Sequence, residues 1–209
     1  MMMGARTGAW SGKRLPYDAE VEYLESTGMQ WIDTGFSPTS DTSVKIGYKT
    51  ADQQTNTALF GNRINYYDRS YCIWANVNGK IRFDYTFNLA DNEYGPSFIA
   101  GRWVDISKRK ERNFVDDIEY TANKTNTFSC NGTAYLFGIN QNGTATWLIS
   151  ARAAYCRIHD SGAFVRDFIP VRFTNEHGET EGAMYDRVSG QLFGNQGTGA
   201  FIIGPDKTT

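Results

Sequence analysis

Apolar and polar residues alternate along most of this chain, and glycines close the alternating runs. The last quarter holds three such tracts, at 164–172, 182–186 and 192–199, and an opening tract at 21–35 answers them. A period of two places one set of side chains on a core face and the other on the opposite face of a strand. The pattern therefore predicts that the two ends of the chain pair and close one β-sheet core. Between them, 44–49 and 81–87 alternate in the same way; Ile81, Phe83, Tyr85 and Phe87 share one face and charges the other, as expected of a sheet with one wet face. Further strand candidates lie at 58–60, 71–74, 103–107, 113–116, 134–137 and 154–158. Asn78-Gly79 between two such runs is a hairpin signal. Asn131-Gly132 and Asn142-Gly143 punctuate likewise, and turn chemistry accounts for them better than the Asn-x-Thr sequons they complete. Only residues 146–151 suggest a short helix, and Pro170 is expected at a strand end or sheet edge, because it cannot donate to a ladder. About a dozen strands without a repeat period predict an all-β fold of two packed antiparallel sheets, a β-sandwich.

Composition narrows this picture. The chain has 209 residues, a length at which one large β domain forms its own core without staples. Its 21 glycines, 13 phenylalanines and 12 tyrosines suit turns and pleated, half-buried surfaces. A net charge of -2 argues against nucleic acid, which requires a concentrated basic face. The one basic run, Lys108-Arg109-Lys110-Glu111-Arg112, reads as a solvated hairpin end. Cys72, Cys130 and Cys156 lie in apolar patterns without paired spacing and read as buried free thiols. His159 and His177 are isolated, and no Cys-x-x-Cys exists, so no metal set is assigned. The start lacks the apolar core of a secretion signal, and no run of about 18 apolar residues is present to insert in a membrane. The expectation is a chain retained in its cell, released by lysis or built into a particle, or cut from a longer exported protein. Residues 1–18 lack periodicity and are expected to be an arm or linker, with Trp10 and Leu15 packing on a neighbouring subunit.

The opening Tyr-Leu-Glu-Ser-Thr-Gly-x-Gln-Trp-Ile-Asp-Thr-Gly at 23–35 resembles a group of concanavalin A-like, laminin-G-like jelly-roll domains common in bacteriophages, prophages and gut bacteria. The closing tracts at 165–172, 182–186 and 193–201 resemble the same group, and 101–105 with 114–117 resembles the laminin-G "G-x-W … V-D-G" hairpin, with Asp117 in place of the usual glycine. The resemblance spans about residues 20–204. It implies a concanavalin A-like jelly roll over 19–209 behind an arm at 1–18.

Such folds host many functions, so function must come from a site. The resemblance suggests comparison with laminarinase-like glycoside hydrolases, which carry paired carboxylates on one strand. Glu20, Glu22 and Glu25 offer a similar spacing but lack the middle Asp and sit on an expected outer strand; no catalytic residue is assigned. Glu176, Glu179 and Glu181 read as a loop. No nucleophile elbow, triad, phosphate loop or dinucleotide fingerprint is present. No cofactor is expected. Calcium stays open, because Asp91, Asn92 and Glu93, or Asp116 and Asp117, supply hard oxygen ligands, though at no diagnostic spacing. Glycan binding is the leading activity. Asn65, Tyr66, Tyr67, Asp68 and Arg69, followed by Trp74, combine stacking rings with planar polar groups, and Asn140 and Asn142 form a second polar tip. Gly194, Gly197 and Gly199 read as tight turns or close backbone approaches, and Arg166, Asp167 and Arg172 as ion-pair braces.

The resulting expectation is a non-enzymatic phage virion component: a head fibre, decoration or tail appendage on the virion surface. It would bind host-surface glycans and dock other virion subunits through its arm, with homo-oligomers left open. A bacterial surface adhesin or carbohydrate-binding module, at the cell surface or secreted within a longer chain, is the alternative; a laminarinase-like enzyme is the third reading.

Overall fold

The computed structural model of the chain describes residues 15–64, 69–86, 93–110, 112–121 and 127–208. These run through nineteen strands. The chain opens with β1 (Ala19–Glu20), β2 (Leu24–Thr27), β3 (Ile32–Asp33) and β4 (Thr42–Thr50). It continues through β5 (Thr57–Arg63), β6 (Ser70–Val77), β7 (Lys80–Thr86) and β8 (Glu93–Ser97). Next come β9 (Val104–Lys108), β10 (Arg112–Val115), β11 (Ile118–Thr121), β12 (Tyr135–Leu136), β13 (Ile139–Gln141) and β14 (Thr144–Thr146). The last five are β15 (Ser150–Asp160), β16 (Ala163–Thr174), β17 (Thr180–Asp186), β18 (Gln191–Phe193) and β19 (Ile202–Ile203).

The strands form a two-sheet β-sandwich. The larger sheet has the order β11-β10-β9-β4-β15-β16-β17-β18, with β1 added to β16, and β2 joining β15 to β19. The smaller has the order β14-β13-β5-β6-β7-β8, with β12 between β5 and β3. Pairing is antiparallel throughout, except that β13 runs parallel to β5. Alternation on β4 sends Val44, Ile46 and Tyr48 inward, where they meet Phe60, Tyr71, Ile73, Phe83 and Tyr85 from the smaller sheet. Each fully buried ring contributes roughly 1.5–3 kcal/mol by transfer from water. The two buried tyrosines of β6 and β7 also tie the layers together: the Tyr71 hydroxyl donates to the Thr42 carbonyl at 3.0 Å, and that of Tyr85 to the Ser40 carbonyl at 2.6 Å. A buried phenol needs such a partner, since an unpaired hydroxyl carries its full desolvation cost.

The chain ends meet as their patterns predicted. Leu24 and Glu25 pair with Ile203 and Ile202. The Gln196 and Thr198 amides donate to the Trp31 and Met29 carbonyls at 2.9 and 3.1 Å. Arg166 reaches back to the opening tract and donates to the Thr34 carbonyl at 2.9 Å. Asp167 pairs with Arg157 at 3.3 Å and Arg187 at 2.6 Å, and Arg172 with Asp206 at 2.8 Å, so the predicted braces are ion pairs. None of the three cysteines forms a disulfide, and all three are buried.

Four expectations need correction. Residues 146–151 form no helix: Trp147 turns through φ 49, and Ser150 and Ala151 already pair with β2 as β15 begins. The local spacing of apolar residues loses to sheet pairing on both sides of the segment. Pro170 lies inside β16, paired with Met184, rather than at its end. Its carbonyl accepts from the Val21 amide at 3.0 Å, so its nitrogen faces the same side. On that side β15 pairs only as far as Phe168, and β1 takes over at Val171, so the missing N–H falls at a changeover and costs no ladder bond. The basic run is not wholly solvated: Lys108 is 0% exposed, its ammonium 4.8 Å from the Tyr85 ring centroid and 5.1 Å from that of Tyr71. Arg109 and Lys110 follow the expectation, with Lys110 pairing with Asp41 at 2.9 Å. The fourth correction concerns β7. Ile81, Phe83 and Tyr85 do share the core face, but Arg82 and Asp84 opposite are 5% and 3% exposed, so the outer face of the smaller sheet is not wet there.

The β10–β11 turn is closed by Asp116 and Asp117, at φ 50 and 64, between paired Val115 and Ile118. Two consecutive left-handed residues make the mirror-image hairpin turn, which aspartate tolerates less well than glycine.

Candidate functional site

The covered outer face of the smaller sheet is built from four strands and one turn. All eight residues of β6 are buried, including those that alternate away from the core. What covers them is a slab of stacked side chains. The Arg63 guanidinium, at the end of β5, lies 3.8 Å from the Trp147 ring centroid and 5.4 Å from that of Trp74. The Arg82 guanidinium lies 4.5 Å from Trp74 on β6. The Trp74 indole N–H donates to Asp84 at 2.6 Å, and Arg82 pairs with the same carboxylate at 2.8 Å. The two indoles touch edge to face at 5.4 Å.

A guanidinium is planar and weakly hydrated, so it can be buried between aromatic faces where an ammonium would lose more solvation. Burial works against the Arg82 charge, yet the Asp84 carboxylate and a hydrogen bond to Tyr94 outweigh it and raise its pKa above the ordinary arginine value. The slab is thus permanently charged inside, with its rings held in one orientation. Trp147 is half-buried, and Tyr94 at its flank is 46% exposed.

Above the slab, β13 lies parallel to β5 and sets Asn140 beside Asn62 and Gln141 beside Arg63. The end of β5 and the second polar tip therefore share one rim. The Gln141 side-chain carbonyl accepts from Arg63 at 3.2 Å. Asn142 is exposed at the tip of the β13–β14 turn, and its amide donates to the Ile64 carbonyl at 2.6 Å. Arg69 is exposed where the β5–β6 loop returns. Asn65, Tyr66, Tyr67 and Asp68 lie outside the described residues. Asn140 is a structural clamp: it is buried, donates to the Thr133 carbonyl at 2.8 Å and accepts from the Gly143 amide at 2.7 Å. Trp74, 3% exposed, is the floor of the slab and not a surface ring.

Arg82, Asp84, Tyr94 and Trp147 were absent from the sequence-based site. Alternation placed Arg82 and Asp84 on the outer face; their burial there comes from tertiary packing, with Arg82 against the Trp74 ring and Asp84 bonded to both.

Of the carboxylates weighed for catalysis, two have cationic partners of their own and the third is exposed. Glu20 lies 3.7 Å from Lys207, Glu25 pairs with Arg152 at 2.7 Å, and Glu22 is exposed. Asp116 accepts from the Asp105 amide at 2.9 Å and pairs with Arg102, which occupies one of the carboxylates considered for calcium. Asp91 and Asn92 lie outside the described residues, among which no group of three or more His, Cys, Asp or Glu gathers as a metal set.

No family model and no curated protein matches the chain. Among solved structures, it is similar to one named a "putative carbohydrate binding protein" from Bacteroides ovatus, at 9% identity and a TM-score of 0.59, over 90% of this chain and 61% of that one. A second, a mutant of the NanB sialidase from Streptococcus pneumoniae, aligns at 11% identity and a TM-score of 0.46, over 90% of this chain and 39% of that one. The chain thus spans less than two thirds of either protein. At 9% identity the first likeness establishes the fold alone: an all-β sandwich of two antiparallel sheets.

Proposed function

We propose that this domain is a non-enzymatic carbohydrate-binding module whose ligand sits on the rim formed by Arg69, Gln141 and Asn142 over the Trp147–Arg63–Trp74 slab. The single observation that carries the reading is the stack itself. Two arginines, a carboxylate and an indole are buried on a sheet face where solvent-facing side chains would serve stability as well. A stack of that kind fixes its rings before a ligand arrives, so little rotamer entropy remains to be lost on binding. A sugar offers a C–H face to an aromatic ring and hydroxyls to planar amides and guanidinia, and Trp147, Tyr94, Asn142 and Arg69 supply those groups. The name of the Bacteroides ovatus protein of like fold agrees with the reading. The separate cationic partners of Glu20 and Glu25, with Glu22 exposed, support a role without hydrolysis, because glycosidic cleavage uses two facing carboxyl groups. The proposed setting is a phage virion surface, docked through the arm to other subunits, or alternatively a bacterial surface. It rests on the resemblance of the terminal tracts.

A glycan array probed with and without chelator tests the proposal and the calcium question together. The expected result is retention of at least one glycan class, weakened about tenfold or more, roughly 1.4 kcal/mol, by Arg69→Ala combined with Asn142→Gly. Glycine keeps the left-handed turn at position 142 while removing the side chain. A folded protein that retains no glycan, or that cleaves the glycan it retains, would overturn the reading.

A further inference from the structure

We propose a second binding site, on the outer face of the larger sheet: a cationic groove that takes a sugar bearing a carboxylate or sulfate group. It lies on the other sheet from the rim described above, so either site can fail without the other.

The groove follows from register. On the outward face of β9, β4, β15 and β16, Lys45 stands directly opposite Arg157, and Arg157 opposite Asp167. The next row sets Ser43 opposite His159 and His159 opposite Phe164. Like charges in directly opposed positions destabilise a sheet. Each cation leans away from the other towards a carboxylate that is already shared. Lys45 lies 3.7 Å from Asp105, which also accepts the Tyr155 hydroxyl, and Arg157 lies 3.3 Å from Asp167, which also pairs with Arg187 at 2.6 Å. The space left along the two strands holds about 370 Å³. Ser43, Lys45, Arg109, Arg157, His159 and Phe164 line it, and no carboxylate is among its described lining residues. A cluster of three cations with no carboxylate among the described lining residues, in a chain of net charge -2, is a local arrangement and not a consequence of overall composition.

The second half of the argument is an apolar plate beside the charge. Phe164 is 51% exposed, and its ring stacks on His159 at 3.8 Å, one row from the Lys45–Arg157 pair. An acidic pyranose matches this pairing, with an anionic substituent at one edge and a C–H face beside it. The volume lies within the range of small-ligand sites, about 300–1,000 Å³. An acidic peptide fits less well. β4, β15 and β16 are interior strands with neighbours on both sides, so a peptide finds no free edge to extend. Three clustered cations also do not make the stripe that tracks a nucleic-acid backbone.

Isothermal titration calorimetry at low and physiological salt tests the site with oligogalacturonate, a sulfated heparin oligosaccharide, a neutral laminarin oligosaccharide and poly-glutamate. The variants are Lys45→Gln with Arg157→Gln, Phe164→Ala as a second route should the double variant not fold, and Lys49→Gln as a charge-matched change on the same strand. The expected result is binding of one acidic oligosaccharide, which assigns carboxylate or sulfate, in preference to laminarin. The double variant should weaken it about tenfold or more, Phe164→Ala should weaken it less, and Lys49→Gln should leave it within about twofold. Three results would overturn the proposal: no binding of either acidic sugar, an equal loss in Lys49→Gln, or poly-glutamate binding as tightly as the sugars.

Discussion

Gly197 is where the closing tract presses on the opening one, and replacing it with alanine should separate them. A Cβ at this position would stand 2.0 Å from the Met29 carbonyl oxygen and 3.0 Å from its carbon and from the Trp31 ring. The nearest obstacle is backbone, so no rotamer change relieves it, and the two segments must part by over an ångström. Four hydrogen bonds cross this contact: Thr198 to Met29 at 3.1 Å, Gln196 to Trp31 at 2.9 Å, Gln30 to Thr198 at 2.9 Å and Trp31 to Asn195 at 3.3 Å. Losing two of them at about 1 kcal/mol each, with overpacking of about 1–3 kcal/mol, gives a cost of about 3–5 kcal/mol. Against a total stability of roughly 5–15 kcal/mol that is a large share. Gly194, in the same tract, has nothing within 4 Å of a Cβ. Gly194→Ala should therefore change stability by no more than about 0.5 kcal/mol. Urea denaturation followed by tryptophan fluorescence reads both. At a slope of about 2–3 kcal/mol per molar, Gly197→Ala should lower the midpoint by about 1–2 M while Gly194→Ala leaves it in place. Equal midpoints for the two variants would refute the idea that the chain ends close the larger sheet through this contact.

Asp186 is fully buried and accepts backbone amides from Asp167, Val188 and Ser189 at 2.8, 3.1 and 3.2 Å, with Arg166 at 3.8 Å. Asp186→Ala strands all of them and should cost about 3–5 kcal/mol by the same urea assay; a loss under about 1 kcal/mol would count against the reading. Asp117→Gly relieves a left-handed residue that makes no described side-chain hydrogen bond, and should raise stability by about 0.5–1 kcal/mol, which a lower melting temperature would contradict. Burial pushes the Cys72 thiol up from 9.0 to about 12 and raises Cys156, Tyr48 and Tyr71 as well. The unfolded chain ionises these groups first, so stability should hold below about pH 9 and fall as pH rises towards 12. In the native protein at pH 8 none of the three thiols should react promptly with a disulfide reagent, whereas all three should in denaturant; one fast native thiol would refute the assignment.

The strands were legible because a period of two is a local property. Val44, Ile46 and Tyr48, and likewise Ile81, Phe83 and Tyr85, announce a core face whatever lies across from them. Pro170 and residues 146–151 were misread for a shared reason. The consequence of a proline depends on which strand its nitrogen faces, and β15 gives way to β1 at that point. The fate of Trp147 likewise depends on the Arg63 and Trp74 surfaces it covers. Of the residues expected at a glycan site, Arg69 and Asn142 reach the surface rim, while Trp74 and Asn140 are built into what supports it.

The sequence by itself determined an all-β chain, its turns and the meeting of its two ends, because alternation and turn chemistry act over a few residues. Tertiary structure alone decided which charges are buried and which are displayed. Arg82 and Asp84 are buried on the outer face of the smaller sheet, where Arg82 lies against the Trp74 ring and pairs with Asp84. Lys45 and Arg157 stand face to face because strand register set them so, a pairing that no local pattern encodes.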